Sequence, residues 1–214
     1  MSVYDLSQTD ALLSTTRAVR KRLDLKREVP TQVLRDCLEL ALQAPSGSNR
    51  QGWRWIVVTE ADTRRALAEL YRKGAGGYLE ESYRAAIAEG RTQDARVYDS
   101  ARYLAKVLQD VPVHVIPCID ISHLPAEPPR QAWAGLIGSI MPAVWSFQLA
   151  LRARGLGSAL TTLHLRCEAE AAALLGIPDN VMQTGLLPVA WTIGTDFRPA
   201  RRRPLDEVLH WDRW

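Results

Sequence analysis

A chain of 214 residues that is 47% hydrophobic and carries a net charge of +3 is long enough to bury a sizeable core in one domain spanning 1–214, and too mildly basic to imply nucleic acid by charge alone. Its apolar runs are interrupted by Arg or Gln before they reach a bilayer's thickness, and residues 1–5 lack the basic patch of a secretory leader, so neither a membrane span nor export is expected. Cys37, Cys118 and Cys167 form no metal-ligand spacing, and so odd and sparse a count suits the reducing cytoplasm, each thiol acting as a small buried hydrophobe.

Taken in order, Tyr4 to Thr15 is weakly amphipathic and reads as a first helix. The basic run Arg17, Arg20, Lys21, Arg22, Lys26 and Arg27 follows. Pro30 and Thr31 open a second helix, with Val33, Leu34, Cys37, Leu38, Ala41 and Leu42 on one face and the pattern running to Ala44. Pro45 stops it, and Gly47 permits a positive φ in the small polar loop Ser46-Gly47-Ser48-Asn49. Trp53 to Val58 is aromatic and β-branched, a strand. Thr63 to Leu70 reads as a helix that Gly74 to Gly77 breaks, and residues 80–108 as one or two surface helices.

Val111 to Asp120 is a second strand, whose prolines argue for an edge or for interrupted pairing. A Pro-rich loop from His123 to Pro129 leads into Gly138 to Ala153, apolar nearly all round and so a buried helix. Gly155-Leu156-Gly157 ends it, and Ser158 to Leu163 reads as a short strand. Glu168 to Leu175 is a helix, Leu186 to Ile193 a buried strand, and an Arg-rich tail with Arg198, Arg201, Arg202 and Arg203 closes the chain. Interspersed helices and strands without repeats or linkers describe an α+β (α/β-type) domain, a small sheet flanked by helices.

The four histidines lie in unrelated contexts with no nucleophile or zinc spacing, and neither a dinucleotide fingerprint nor a phosphate-loop motif is present. The Ser46 loop has two readings, an ordinary helix-to-strand turn or a ligand-facing loop with nothing bulky in it. Arg17, Arg20 and Arg202 taken singly are solvated surface charge, and Thr161 and Thr162 taken singly are strand formers.

Collected in order, these segments resemble the FMN-dependent nitroreductase superfamily. Residues 16–20 are similar to its Arg-Arg-Ser-x-Arg opening, and Ala44 to Trp53 to its Ala-Pro-Ser-Gly-x-x-x-Gln-Pro-Trp loop. Pro142-Ala143 through Gly157 resembles its Pro-Ala helix ending in Gly-Leu-Gly, Leu160-Thr161-Thr162 the segment after it, and Arg202-Arg203-Pro204-Leu205 its Arg-Lys-Pro-Leu ending. The departures are Thr16 for Arg, Ala18 for Ser, Gly52 for Pro, and Thr195-Asp196 for Tyr-Pro after Gly194.

The resemblance implies a nitroreductase-like fold with a small mixed sheet, an intertwined homodimer, bound FMN, and NAD(P)H as electron donor to a small electron-poor acceptor such as a nitroaromatic or quinone. Ping-pong kinetics follow, since the flavin rather than a catalytic side chain carries the chemistry. By motif position Arg17, Ala18 and Arg202 serve the phosphate end, and Arg20 offsets charge at the N1–O2 edge of the reduced ring. Leu160, Thr161, Thr162 and Leu163 lie along N5. Ser46, Gly47 and Ser48 contact the ring from the partner subunit with Asn49 nearby, Gln51 is a candidate for its pyrimidine edge, and Pro45 belongs to the same cofactor-binding loop. Reductive dehalogenation, flavin-consuming chemistry and a flavin-binding sensor with little turnover are the alternatives within this fold, and a basic nucleic-acid module using Arg17 to Arg27 is the alternative outside it. No nucleic-acid or membrane partner is expected, and variable segments 71–103 and 121–131 are expected to choose the acceptor.

Overall fold

The computed structural model describes residues 3–214; Met1 and Ser2, the start of the segment read above as lacking a leader, lie outside the described residues. The helices are α1 (Leu6–Thr15), α2 (Thr31–Ala41), α3 (Ala61–Ala75), α4 (Tyr78–Ala88), α5 (Thr92–Val107), α6 (Arg130–Ala153) and α7 (Glu168–Leu175). The strands are β1 (Trp53–Val58), β2 (Val113–Asp120), β3 (Leu156–Ser158), β4 (Val181–Gln183) and β5 (Leu187–Trp191). Short 3-10 turns occupy Gly47–Asn49, Leu108–Asp110, Leu163–Cys167 and Leu205–Glu207.

The sheet runs β1-β2-β5-β3, with β4 also pairing β2. Every strand pair is antiparallel; the mixed character expected of the sheet is confined to a single parallel bridge between Ala18 and Ser158. β2 is central, not an edge. Pro117 interrupts its pairing instead: β5 takes Val113 to Val115, β4 takes Cys118 to Asp120, and the proline lies in the gap. A ring nitrogen has no hydrogen to give a ladder, so the pairing breaks there.

Strand periodicity builds a core on each face. Val113, Val115 and Ile119 of β2 pack with α2 and α6 residues such as Leu34, Ile140, Val144 and Phe147. Ile116 and Cys118 turn to the other face, with Leu67 of α3 and Ala171 of α7. Trp55 and Phe147 meet with ring centroids 5.6 Å apart.

Several boundaries differ from the sequence reading. α1 starts at Leu6 because the Asp5 carboxylate accepts from the amides of Ser7 and Gln8, an N-cap. α2 ends at Ala41 rather than Ala44. α6 begins at Arg130, eight residues before Gly138, with Pro129 as its cap. It is therefore long and apolar enough to cross a membrane by length and composition, contrary to the short runs expected, yet its buried stripe packs in the first core. It is also not buried all round: Trp133, Ile137 and Trp145 are about two-fifths exposed. The strand expected over Ser158 to Leu163 lies earlier, at Leu156–Ser158, over residues read as the stop of the preceding helix. β3 ends at Ser158, Thr161 makes a lone antiparallel bridge to Leu186, and Leu163 opens a 3-10 turn. β4, three residues long, is too short to show a period.

Candidate functional site

The segment read as the basic opening motif lies against β3. The Val19 amide donates to the Ser158 carbonyl at 2.9 Å. Gly157 makes room for it: a Cβ there would meet Val19 Cβ at 2.9 Å. This holds Arg17, Ala18 and Arg20 along one wall of a cavity of about 370 Å3, whose other walls include Ser100, Phe197 and Arg198. Arg17 Nη1 donates to the Arg198 carbonyl at 3.1 Å, and Arg20 Nη1 to Ser100 Oγ at 3.3 Å.

The charges around this cavity are not equivalent. Lys21 pairs with Asp99, and Arg22 with Asp196 at 2.6 Å. Among the described residues, Arg17 and Arg20 have no carboxylate partner. Burial pushes the Arg20 pKa down, against the ordinary preference of an arginine, while the Tyr71 phenol beside it acts in the opposite sense. A half-buried, uncompensated guanidinium beside a second unpaired one suits an anionic ligand with planar or phosphate oxygens.

Thr161 joins this group through Tyr71. Its backbone exchanges both hydrogen bonds with Leu186, at 3.0 and 2.8 Å, and its hydroxyl donates to the Tyr71 phenol oxygen at 3.2 Å. Leu160 is held from below by Gly185, where a Cβ would come within 2.6 Å of Leu160 Cδ1. Thr162 is exposed at the head of the turn, and the Leu163 carbonyl presses against Gly74 of α3 so closely that no side chain fits there.

The loop Pro45 to Gln51 is elsewhere. It borders a second cavity of about 590 Å3, with Ser46, Gly47, Ser48, Arg50 and Gln51 facing Ser139 of α6, Asp120 and His123. The positive φ expected at Gly47 falls instead on Ser48 (54°), Asn49 (51°) and Gln51 (50°). Gly47 is needed for closeness: its amide donates to Ser139 Oγ at 3.0 Å, and a Cβ would lie 3.2 Å from that oxygen. Bonds from the Gln51 amide to Ser46 Oγ (3.1 Å) and from Gln51 Nε2 to Asn49 Oδ1 (3.0 Å) hold the strained backbone. Three left-handed non-glycine residues within four positions are costly and characteristic of functional loops.

Arg202 is not brought to either cavity. Its side chain is exposed and reaches only the neighbouring Arg201 carbonyl, at 3.3 Å. Arg198 stands at the first cavity instead, and Ser100 joins it there, while Tyr71 lies buried behind Thr161. Sequence reasoning named Arg198 only as part of the Arg-rich tail and missed Tyr71 and Ser100, because Tyr71 reads as one more apolar point of an amphipathic helix and Ser100 as a polar surface residue. His114 is structural: it is fully buried and Nε2 donates to the Leu108 carbonyl at 2.8 Å. No cluster of three metal-ligating side chains occurs among the described residues.

The nitroreductase family model matches residues 13–191. An NADH dehydrogenase of Thermus thermophilus is 28% identical, over 96% of this chain and 100% of its own length. Iodotyrosine deiodinase 1 of Pongo abelii is 25% identical over 92% of this chain, which spans 66% of that protein. The crystal structure of an oxidised iodotyrosine deiodinase bound to FMN and 3-iodo-L-tyrosine superposes with a TM-score of 0.68, at 22% identity over 91% of this chain and 94% of that one. With the family model covering most of the sequence and the fold shared with solved members, the chain belongs to the nitroreductase family.

Proposed function

We propose that the chain is an FMN-dependent oxidoreductase that accepts hydride from NAD(P)H and passes it to an electron-poor acceptor of nitroaromatic or quinone type, the two substrates using one site in turn. The observation that carries this reading is Arg20, half-buried beside Arg17 at a cavity wall with no carboxylate to offset either charge. Bound FMN supplies reversible two-electron chemistry. Arg17 and Arg198 would hold its phosphate by charge-assisted hydrogen bonds, the role that motif position gave to Arg17 with Arg202. Arg20 would face the ring edge where negative charge gathers on reduction, and Leu160 to Leu163 would line the opposite edge.

The site residues fall into two separated groups in one chain, which supports a site completed by a second copy. The Ser46 to Gln51 loop of one subunit would then cover the Arg17–Thr161 group of the other. Trp133, Ile137, Met141 and Trp145 fall four residues apart along α6, and the tail leaves Leu205, Val208, Trp211 and Trp214 more than half exposed. An apolar stripe and an apolar arm of this kind suit an intertwined homodimer. Three cysteines, all unpaired and buried, support a cytoplasmic setting.

The experiment is a visible absorption spectrum of the purified chain, followed by NADH and NADPH oxidation with a nitroaromatic or quinone. Two flavin bands and acceptor-dependent oxidation are expected; a colourless protein that takes up no added FMN refutes the reading. The likeness to iodotyrosine deiodinase 1 favours a second reading, reductive dehalogenation, which iodide release from 3-iodotyrosine would reveal.

A further inference from the structure

We propose that Phe197 is a positioning residue of the cofactor site, clamped by Arg22 and Arg152 so that the residue after it, Arg198, is held at the wall of the basic cavity. The inference rests on the FMN reading above. Residues 193–198 belong to no helix or strand, and Thr195-Asp196 stands here where the family pattern has Tyr-Pro. A segment with neither ladder nor helix needs another restraint if it is to present a ligand-binding side chain in one place.

The two arginines supply it. The guanidinium carbon of Arg22 lies 4.2 Å from the centroid of the Phe197 ring, and that of Arg152 lies 4.5 Å from it. The same guanidiniums bond the segment leading to the ring. Arg22 Nε donates to the Ile193 carbonyl at 2.8 Å and Nη2 to the Asp196 carboxylate at 2.6 Å, while Arg152 Nη2 donates to the Thr195 carbonyl at 3.1 Å. The Phe197 amide closes onto that Thr195 carbonyl at 2.9 Å. Both arginines stand on fixed ground: Arg152 in the last turn of α6, and Arg22 beside Leu23, which is buried. The Phe197 side chain also packs on the core group that holds Val19 and Leu23. Gly194 lets the chain pass so close, since its φ is 74° and a Cβ there would lie 2.6 Å from Arg22 Nη2.

Two like charges at one ring repel each other: burial holds the Arg152 pKa below its ordinary value, and the Arg22 charge adds to the shift. An aromatic face, negative above its plane, offsets both charges without a hydrogen bond. Arg152 Nε is buried with no hydrogen-bond partner, which fits a guanidinium placed to stack. An aliphatic side chain would fill similar space but leave the two charges facing each other. The next residue along is Arg198, whose carbonyl takes Arg17 Nη1 at 3.1 Å and which lines the cavity together with Phe197. Arg22 lines it too, but its charge is committed to Asp196 and the ring, so it positions rather than binds. Loosening the ring would free Arg198 from the wall and weaken the grip on a phosphate, while contacts to the flavin ring system stay as they are.

The test compares FMN with riboflavin, which has the same ring system and no phosphate. Both dissociation constants are measured by fluorescence titration of the full chain as parent, Phe197→Leu, Phe197→Tyr, Arg198→Ala and the Phe197→Leu/Arg198→Ala pair. The parent is expected to prefer FMN. Phe197→Leu changes no charge and keeps apolar bulk, yet should cut that preference about tenfold, with riboflavin binding held within about twofold. Phe197→Tyr should keep the parent preference, because the ring face remains. The pair should lose little beyond Arg198→Ala alone, because the ring acts through that side chain. An unchanged preference in Phe197→Leu, a Phe197→Tyr that behaves like Phe197→Leu, or additive losses in the pair overturns the inference alone. A parent that binds the two flavins equally overturns this inference and the phosphate placement, and leaves the flavin reading standing. A parent that binds neither overturns the cofactor reading as well. Should Phe197→Leu not fold, a parent-like preference in Arg152→Gln overturns the inference equally.

Discussion

The Arg17 guanidinium meets the backbone carbonyl of Arg198 at 3.1 Å, across 181 positions of sequence. The contact sets the Arg198 side chain at the wall of the basic cavity, while Arg202 stays out on the tail. Arg17→Ala and Arg198→Ala are each expected to weaken FMN binding by about 1.5–3 kcal/mol, the usual range for a hydrogen bond to a charged group. Arg202→Ala should cost less than either. Fluorescence titration of the three variants checks the ranking, and a larger loss from Arg202→Ala would return the phosphate role to the tail.

Arg20 should matter more to redox balance than to folding. Its guanidinium is partly desolvated and faces a serine hydroxyl at 3.3 Å rather than a carboxylate. Arg20→Gln keeps a polar group of similar reach and removes the charge. The two-electron potential should drop by a few tens of millivolts, at about 30 mV per 1.4 kcal/mol, with the oxidised cofactor still bound. A potential that rises would mean that Arg20 does not face the ring edge where charge gathers.

Acid should unfold this protein through two buried histidines. Burial pushes His114 and His164 from 6.5 down to about 4, with Arg64 and His164 adding repulsion at His114. Gln183 lies beside His164 and opposes its shift, though neither His164 nitrogen completes a hydrogen bond. Because the folded pKa lies below the unfolded one, the unfolded chain binds more protons between them, and stability falls as pH drops. The contribution is full above about 6.5 and lost by about 4, roughly 3 kcal/mol for each histidine at 1.36 kcal/mol per pKa unit. Urea midpoints measured from pH 7 to 4 should decline across this window. His164→Leu should flatten the decline by about half, and a decline of unchanged slope would rule out that histidine as a source.

Gly74 is expected to tolerate no side chain. An added Cβ would overlap the Leu163 carbonyl oxygen at the point where α3 carries the turn that follows Thr162. Gly74→Ala has better intrinsic helix propensity by about 1 kcal/mol, yet the overlap should outweigh it and give a net loss of about 1–3 kcal/mol. Thermal unfolding would show the loss, and weaker FMN binding would show that the turn had moved. A stabilised variant would contradict the close approach.

Elements with a long, clean period were legible in the sequence. β1 and α7 appear with the boundaries their residue patterns set, Trp53–Val58 and Glu168–Leu175. Interruptions governed by a missing backbone donor were legible in kind but not in place: Pro117 marked a break in pairing, and whether that break lay at an edge or the centre depended on strands far along the chain. The site divided in the same way. Arg17, Ala18 and Arg20 form one contiguous motif, and the structure sets them along one cavity. The contact between Tyr71 and Thr161 was invisible, since it arises only when α3 is laid against the segment after β3. The strain in the Ser46 loop fell on Ser48, Asn49 and Gln51 rather than on the glycine, because Gly47 is occupied with its approach to Ser139.

The gap at Pro117 reaches further than the ladder it breaks. The Pro117 carbonyl takes both the amide and the hydroxyl of Thr184, at 2.9 and 2.8 Å, and so anchors the chain as it leaves β4. Two residues later Leu186 turns away from β2 and bonds Thr161. A residue with an amide hydrogen at position 117 would offer β4 one more rung on that same edge. The crossover would then compete with continued zipping along β2, and Leu186 would be drawn inward. The chain that bridges Thr161 through Leu186 is thus anchored two residues earlier, at the middle of the sheet, on the one residue of β2 that has no amide hydrogen.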